Sequence, residues 1–316
     1  MNRVGTFSGY YLPVTTSDGS VWNFSTTIEA DGYYVQDGFD ANTNRPYTGS
    51  TGRLHPQTAA QWKYPMVNQV DTVSYLIEPV ADVVVGPNGD NPKRIPNEDA
   101  QAFEFDDTNL FSLRRFAGTD RIATGQRVDY GVTAGAYGLK GGSTSGFIGQ
   151  SVRAHGDSSF DVNSGLRDQV SDIVGRFTVS PRRYIDLSYR YRLDHSTLAT
   201  NRDEISASVL LAPRSSVSVS YLRFAKPVVD VSTTRTEQVS TSSLIGLTEY
   251  WNLYGAYAYD LVRQESRIGR IGAYYRDECF AILLSVDETF QSDRDIQKGL
   301  SVLVRFGLKY LGDFGG

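Results

Sequence analysis

Apolar and polar residues alternate strictly along one nine-residue segment of the chain. In IDLSYRYRL, residues 185–193, every odd position is apolar or aromatic, and every even position is Asp, Ser or Arg. Successive side chains of a β-strand point to opposite faces. The segment is therefore predicted to be a strand with one apolar face and one charged face.

The same alternation recurs in further segments that are bounded by turn-forming residues. They are 126–137, 173–180, 205–211, 253–261, 280–286 and 300–308. Connections such as SPRRY and APRSS are too short to hold a crossover helix, so neighbouring strands should pair as antiparallel hairpins. We predict a meander of about a dozen to fourteen strands, each of about 9 to 14 residues.

Strand length separates two all-β architectures. Strands of a soluble sandwich usually contain about 5 or 6 residues, whereas a tilted strand that spans a bilayer needs about 9 to 11. We therefore expect an antiparallel transmembrane β-barrel of outer-membrane type, with the apolar face in lipid and the charged face towards a watery lumen. A soluble sandwich, with the apolar faces in its core, is the alternative. The candidate lumen-lining residues are Arg127, Asp129, Asp186, Arg190, Arg192 and Arg305.

One long segment, residues 86–118, lacks the alternation and contains three prolines. A long irregular loop in a compact domain usually has a function, so this one is expected to fold into the lumen or to cover a rim. Two other prolines, Pro65 and Pro79, lie within predicted strands. Because proline lacks the N–H donor, these positions predict bulges or locally weak pairing.

Composition excludes several classes of protein. The 316 residues carry a net charge of -5 and include 20 Tyr and 30 Gly, which favours strands and turns. No apolar run approaches the ~20 residues of a membrane helix, and the absence of a Lys or Arg block argues against nucleic acid as a partner. The opening MNRVGTFSGYYLP has no apolar core of the kind found in secretory signal peptides.

The chain offers little catalytic chemistry. Asp194, His195 and Ser196 are the residue types of a hydrolytic triad, but neighbouring residues at a strand end point in different directions, so we expect no hydrolase. The acidic residues of 98–107 lack the spacing of a calcium loop, and no zinc or phosphate-loop pattern is found. We predict that the protein is not an enzyme and needs no metal or cofactor. The single cysteine, Cys279, is either a buried small residue or a thiol that pairs outside this chain.

The stretch EDAQAFEFDDTNLFSLRRFAGTDRIATGQRVDYGV, residues 98–132, resembles the signature region of the LptD family of outer-membrane lipopolysaccharide-assembly proteins. The upstream WKYPMV and LIEPVADVVVGP, and the strands after residue 253, are similar to the same family, so the resemblance covers most of the chain. The signature positions of the loop are Asp106, Asn109, Leu110, Phe111, Arg115, Gly118, Asp120 and Arg121.

The resemblance implies a function and a setting. The chain, residues 1–316, would be the C-terminal part of a larger barrel, without the N-terminal periplasmic jelly-roll domain and without a signal peptide. It would deliver lipopolysaccharide to the outer leaflet of a Gram-negative outer membrane through a lateral gate. The implied partners are lipopolysaccharide, outer-membrane lipid, a plug lipoprotein of the LptE type and, during insertion, the barrel-assembly machinery. A general diffusion porin that closes from these strands alone is the alternative function.

The resemblance also assigns roles near the end of the chain. Cys279 would form a disulfide with a segment outside this chain, as an oxidising periplasm permits. Residues 300–308 would form the surviving side of the lateral seam. Four residues fit the signal that the barrel-assembly machinery reads in a last strand: Gln297, Gly299, Val302 and Val304.

Overall fold

The computed structural model describes residues 1–40, 45–89, 91–100, 104–182, 184–212, 214–225, 235–292, 297–308 and 312–314. These residues form one 17-stranded sheet. Its strands are β1 (Asn2–Thr15), β2 (Val21–Asp40), β3 (Arg45–Lys63), β4 (Met66–Val70), β5 (Val73–Val85), β6 (Arg127–Gly138), β7 (Ser143–Arg153), β8 (Ile173–Arg182), β9 (Ile185–Leu193), β10 (Thr200–Ala212), β11 (Ser215–Phe224), β12 (Thr236–Gly246), β13 (Trp251–Asp260), β14 (Glu265–Arg276), β15 (Phe280–Thr289), β16 (Gly299–Leu308) and β17 (Gly312–Phe314).

Every strand pairing is antiparallel and follows chain order, except that β3 and β4 both pair with β5. The predicted all-β antiparallel fold is therefore confirmed. Across the described ranges, no helix is long and apolar enough to span a membrane. Within the same ranges β1 pairs only with β2, and β17 pairs only with β16, so the sheet has two open edges.

The predicted number of strands was too low. The N-terminal strands β1, β2 and β3 contain 14, 20 and 19 residues and fall outside the segments recognised by alternation. Their period of two is present but weak, because Thr26, Ala30 and Gly32 occupy the positions where β2 would otherwise carry large apolar side chains. Small and hydroxyl side chains on the outward face conceal a strand from a hydrophobicity pattern.

Pro65 and Pro79 interrupt the pairing at one level of the sheet. β3 pairs with β5 as far as Lys63 opposite Val80, and β4 resumes the pairing with Met66 opposite Ile77. Pro65 separates β3 from β4, while Pro79 stays inside β5. The missing N–H donors thus divide what would be one long strand into two.

The two faces of the sheet differ in chemistry as the alternation predicts. On β6, Val128, Tyr130 and Val132 are exposed, whereas Arg127 and Asp129, which have the opposite parity, are buried. The registers place the same kinds of residue on the same faces of the neighbouring strands. The apolar face therefore points outward, and the charged face points into the concave side of the sheet.

The concave side is filled by two irregular segments. We call the described residues of one segment, 86–89, 91–100 and 104–126, the inner loop; the second segment is 154–172. The main hydrophobic core contains residues of both segments and of β8, namely Ala100, Phe105, Leu110, Phe116, Ala123, Phe160, Leu166 and Val174. The core thus lies between these segments and the sheet, which leaves the outward apolar face uncovered.

Candidate functional site

The inner loop contacts strands that are far apart in the sheet. Its carboxylates reach Arg3 on β1 and Arg202 on β10, and its backbone carbonyls accept hydrogen bonds from Arg53 on β3. Its Arg115 pairs with Asp129 on β6. Because strands from β1 to β10 contact one loop, this part of the sheet must curve around it.

Two aspartates fasten the base of the inner loop. Oδ2 of Asp120 accepts hydrogen bonds from the backbone N of Glu98 and Asp99, at 2.8 and 3.1 Å. In return, Oδ1 of Asp99 accepts from the backbone N of Thr119 and Asp120, at 3.1 and 2.9 Å. The guanidinium of Arg3 reaches both carboxylates. Burial raises the pKa of Asp99, but the hydrogen bonds from Arg3 and the backbone outweigh it and hold that pKa well below its ordinary value.

Gly118 is required because the two chain segments of this base, at Asp99 and at Gly118, approach each other closely. A Cβ at position 118 would lie 2.5 Å from the carbonyl carbon of Asp99 and would also overlap its oxygens. Backbone atoms cannot move away cheaply, so only glycine fits. Beside it, Nη1 of Arg121 donates to the carbonyls of Ile95 and Asp120, both at 3.0 Å.

The tip of the inner loop is a turn held by its own side chains. Asn109 accepts a hydrogen bond from the backbone N of Asp106 at 3.1 Å and donates to the carbonyl of Glu104 at 2.7 Å. Asp106 accepts from the backbone and hydroxyl of Thr108. Burial raises the pKa of Asp106, but these bonds and one from Arg202 lower it below its ordinary value. Asn109 and Asp106 thereby fix the orientation of the tip.

The central contact of the inner loop is a buried ion pair. Nη2 of Arg115 lies 2.7 Å from Oδ1 of Asp129, and both side chains are fully buried. Asp129 also accepts from Nε of Arg127 at 3.0 Å and from the hydroxyl of Ser151 at 2.5 Å. Burial and the charges of Arg127 and Arg153 lower the pKa of Arg115 to about 9, although Asp129 raises it. Two guanidinium groups, those of Arg115 and Arg127, thus share one carboxylate.

Next to this ion pair, apolar residues of the loop pack onto a part of the sheet where glycines replace larger side chains. Gly131 and Gly149 face each other on β6 and β7. A Cβ at position 149 would lie 2.5 Å from Cδ2 of Leu110. Leu110 is fully buried, and the ring of Phe111 meets Phe147 edge-on, with 6.2 Å between centroids. The absent side chain of Gly149 therefore makes the room that Leu110 occupies.

All six candidate lumen-lining residues lie on the inward face, but they differ in what they contact. Arg127 donates to the carbonyl of Ser112, and Asp129 pairs with Arg115. Arg190 and Arg192 reach carboxylates at the loop tip. The two remaining residues are exposed: Asp186, which accepts a hydrogen bond from Ser180, and Arg305.

The other residues singled out in the sequence lie away from the inner loop. Cys279 is exposed in the turn between β14 and β15. Gln297 precedes β16, Gly299 begins it, and Val302 and Val304 point outward from it. These four positions therefore all lie within the last long strand, β16, or just before it.

The Asp194, His195 and Ser196 segment is a turn. Oδ1 of Asp194 accepts from the hydroxyl of Ser196 at 2.6 Å and from the backbone N of Ser196 and Thr197. These bonds lower the pKa of Asp194 well below its ordinary value. Ser196 therefore donates to a carboxylate that caps the turn, which is a structural arrangement. Within the described ranges, no group of three or more His, Cys, Asp or Glu is arranged to hold a metal ion.

Sequence reasoning missed several residues that hold the loop. Glu104 and Asp107 of the tip contact arginines on β8, β9 and β10, among them Arg176 and Arg202. Burial raises the pKa of Glu104 to about 7, although Arg192 and Arg202 lower it; Asp106 and Asp172 raise it further. Burial likewise raises the pKa of Asp107. The inward parity of Arg176 was visible in the alternation, but its carboxylate partner was not.

A second missed contact joins the two irregular segments. The rings of Phe116 and Phe160 stack with 4.6 Å between centroids. The amide of Asn91 accepts from the backbone N of Ile122 and donates to the hydroxyl of Ser159. Segment 154–172 thus packs directly against the inner loop.

The signature region that docks in the concave face is shared with a known family. The family model described as LptD, LPS transport system D, matches residues 8–251. The chain belongs to the LptD family. The LPS-assembly protein LptD of Aeromonas salmonicida is 25% identical over 236 residues, covering 69% of this chain and 28% of that protein. The LptD of Aeromonas hydrophila is 25% identical over 244 residues, covering 71% and 29%. The chain therefore spans less than a third of the length of these LptD relatives.

Among solved structures, a mutant of the Rh. blastica porin matches with a TM-score of 0.40 and 15% identity, covering 99% of this chain and 91% of the porin. The toluene transporter TodX of Pseudomonas putida matches with a TM-score of 0.23 and 10% identity, covering 96% and 86%.

Proposed function

We propose that this chain forms part of the wall of a lipopolysaccharide translocon in the outer membrane of a Gram-negative bacterium. The observation that carries the proposal is the separation of the two faces in a member of the LptD family: apolar residues point outward along the strands, while charged and hydroxyl residues point inward. The outward face would contact lipid, and the inward face would contact the hydrophilic part of lipopolysaccharide.

The part of the concave face formed by β10 to β14 supports this assignment. It carries a shallow groove of about 320 Å³ that the inner loop leaves open. Small inward side chains leave room in this groove, and their hydroxyls are suited to hydrogen bonding with sugars. We call it the serine groove; its inward lining residues are Ser206, Ser208, Ser218, Ser220, Ser240, Ser242, Ala256, Ala258 and Ile268.

An amphiphile needs a way out of a barrel wall, because its acyl chains cannot stay in a watery lumen. Opening a sheet in lipid exposes unpaired backbone groups at several kcal/mol each, so the exit requires a weak seam. We propose that β16 forms one side of this seam and that the stretch from Gln297 to Val304 guides insertion by the assembly machinery. A plug lipoprotein of the LptE type would share the concave space with the inner loop, and Cys279 would pair with a segment outside this chain.

Photo-crosslinking from neighbouring positions of β11 tests the function. Ser218 points into the serine groove, and Val219 beside it is 46% exposed on the outward face. A photo-reactive residue at position 218 should capture lipopolysaccharide in cells that make this protein, while the same residue at position 219 should capture mainly phospholipid. Equal capture of lipopolysaccharide at both positions would contradict the proposal. Ion conductance by the purified chain, without capture at position 218, would favour a general diffusion porin.

A further inference from the structure

Two pairs of arginines face each other directly across neighbouring strands on the concave face. Arg176 of β8 lies opposite Arg190 of β9, and Arg192 of β9 lies opposite Arg202 of β10. Like charges directly opposite each other destabilise a sheet. Each pair therefore requires an anion beside it.

The tip of the inner loop supplies these anions. Asp107 lies between the first pair, 3.2 Å from Nη1 of Arg176 and 3.5 Å from Nε of Arg190. Glu104 lies between the second pair, 3.2 Å from Nη1 of Arg192 and 3.8 Å from Nη1 of Arg202. Asp107 thus bridges the first pair and Glu104 the second. Glu204 also lies 3.8 Å from Nη1 of Arg190 and 2.6 Å from Nη2 of Arg202, and Asp106 lies 3.1 Å from Nη1 of Arg202. The second pair therefore does not depend on Glu104 for its counter-charge.

The bridge at the first pair is incomplete. Charge-assisted hydrogen bonds between guanidinium and carboxylate are usually about 2.7–2.9 Å long, so both distances at Asp107 are long. Nε of Arg190 and Oδ1 of Asp107 are buried, and within the described part of the chain neither has a hydrogen-bond partner. A better anion would therefore find donors that Asp107 leaves unused.

The two pairs have bridges of similar length but differ in how they can be reached. The side chain of Arg192 is 1% exposed and donates to the carbonyls of Asn163 and Ser164, which fix it in place. In contrast, the side chains of Arg176 and Arg190 are 42% and 32% exposed. A ligand inside the concave space can therefore approach the first pair.

We propose that Arg176 and Arg190 form a binding site for a phosphate group carried on a sugar, and that Asp107 occupies this site as an internal competitor which the ligand displaces. The proposal rests on the proposed function, since it assigns a phosphorylated saccharide to the translocated lipopolysaccharide. A phosphate group offers three oxygens to two guanidinium groups, whereas the carboxylate of Asp107 offers two. The acidic tip thus closes the site until a phosphorylated ligand replaces it.

Calorimetric titration of the full chain in detergent tests the competition. The probes are glucosamine 1-phosphate and inorganic phosphate. D107N removes the competing charge, and we expect it to bind glucosamine 1-phosphate about tenfold more tightly than the unsubstituted chain. The matched control is D71N, because Asp71 is an exposed aspartate in the turn between β4 and β5, away from the arginine pair; its affinity should be unchanged.

A triple variant separates the site from the folding of the tip. R176Q/R190Q/D107N removes the arginines together with their counter-charge, so no charge at this position is left without its partner. We expect it to lose binding while D107N retains it. Equal binding by these two variants, or no gain in D107N over the unsubstituted chain, would overturn the site. Equal affinity for the two probes would overturn its assignment to a sugar-linked phosphate.

The titrations and the photo-crosslinking at position 218 can fail independently. Phosphate binding requires no lipopolysaccharide transport, and capture at position 218 requires no intact arginine pair. Phosphate binding without capture would leave the arginine site in place and remove the proposed function. Capture without phosphate binding would support the proposed function and remove the arginine site.

Discussion

Replacing Asp129 with Asn should release the inner loop from the concave face. Asp129 is the acceptor for Arg115 of the loop and for Arg127 and Ser151 of the sheet, at 2.7, 3.0 and 2.5 Å. The substitution keeps the shape of the side chain and removes its charge. It therefore tests the electrostatic part of the contact with little change in packing.

The size of the effect follows from burial. The side chains of Arg115 and Asp129 are both fully buried, so D129N leaves two guanidinium groups in the interior without the carboxylate that they share. Removing one partner of a buried ion pair costs about 3–5 kcal/mol. A loss of about 3 kcal/mol raises the population of the undocked loop roughly a hundredfold.

Limited proteolysis of the full chain in detergent measures loop docking, and tryptophan fluorescence during denaturant unfolding reports on the whole sheet. D129N should accelerate cleavage within residues 104–126 by about two orders of magnitude. The matched control is D186N, an exposed aspartate on the same inward face, which should change stability by less than about 0.5 kcal/mol. Similar cleavage rates for D129N and D186N would refute the argument that this ion pair holds the loop.

Three further perturbations test other parts of the loop by the same proteolysis. G118A should loosen the base by about 1–3 kcal/mol, because its Cβ would overlap the backbone of Asp99. Docking should weaken by about 1 kcal/mol between about pH 6 and pH 8. Burial in the docked loop raises the pKa of Glu104 from 4.5 to about 7, so the docked state holds this proton more tightly than the undocked state. The stability from the bound proton is therefore complete below about pH 4.5 and is lost as the pH rises through 7. L110A and G149A should each cost about 2 kcal/mol or more and together less than their sum, because the two positions share one space.

Each of these predictions has its own control. G32A is the comparison for G118A, since a Cβ at position 32 meets its nearest neighbour at an ordinary 3.5 Å. E104Q cannot ionise, and its proteolysis rate should therefore lose the rise with pH; an unchanged pH profile would contradict the assignment to Glu104. Strict additivity of L110A and G149A would mean that Leu110 does not occupy the space above Gly149.

The faces of the strands could be predicted from the sequence, because a period of two assigns each side chain to a face without any knowledge of its neighbours. The sequence alternation therefore assigned Arg190 and Arg192 to one face, and in the structure both contact the inner loop on the concave face. Register could not be predicted in the same way, since it depends on turn geometry and on which residues pair across strands. The direct opposition of Arg176 and Arg190 is a property of register alone.

The docking of the inner loop was even harder to predict from the sequence than the register. Asp107 and Arg176 lie far apart in the sequence, and no local periodicity connects them. The family resemblance identified Gly118 and Asp120 as signature positions, but it did not give their physical roles. Those roles became evident only from the backbone of Asp99, against which both residues lie.

The inner loop is held unevenly, and this unevenness decides which part of it can move. At its centre, Arg115 and Asp129 are fully buried with a contact of 2.7 Å. At its tip, Asp107 contacts its two arginines at 3.2 and 3.5 Å, and Arg176 is 42% exposed. Segments with long, exposed contacts open at a lower free energy than well-packed ones. The side chain of Asp107 is itself 3% exposed, but its contacts are long, so it can separate from the arginine pair while the centre stays docked. Access to the charged face therefore requires no unfolding of the core around Leu110.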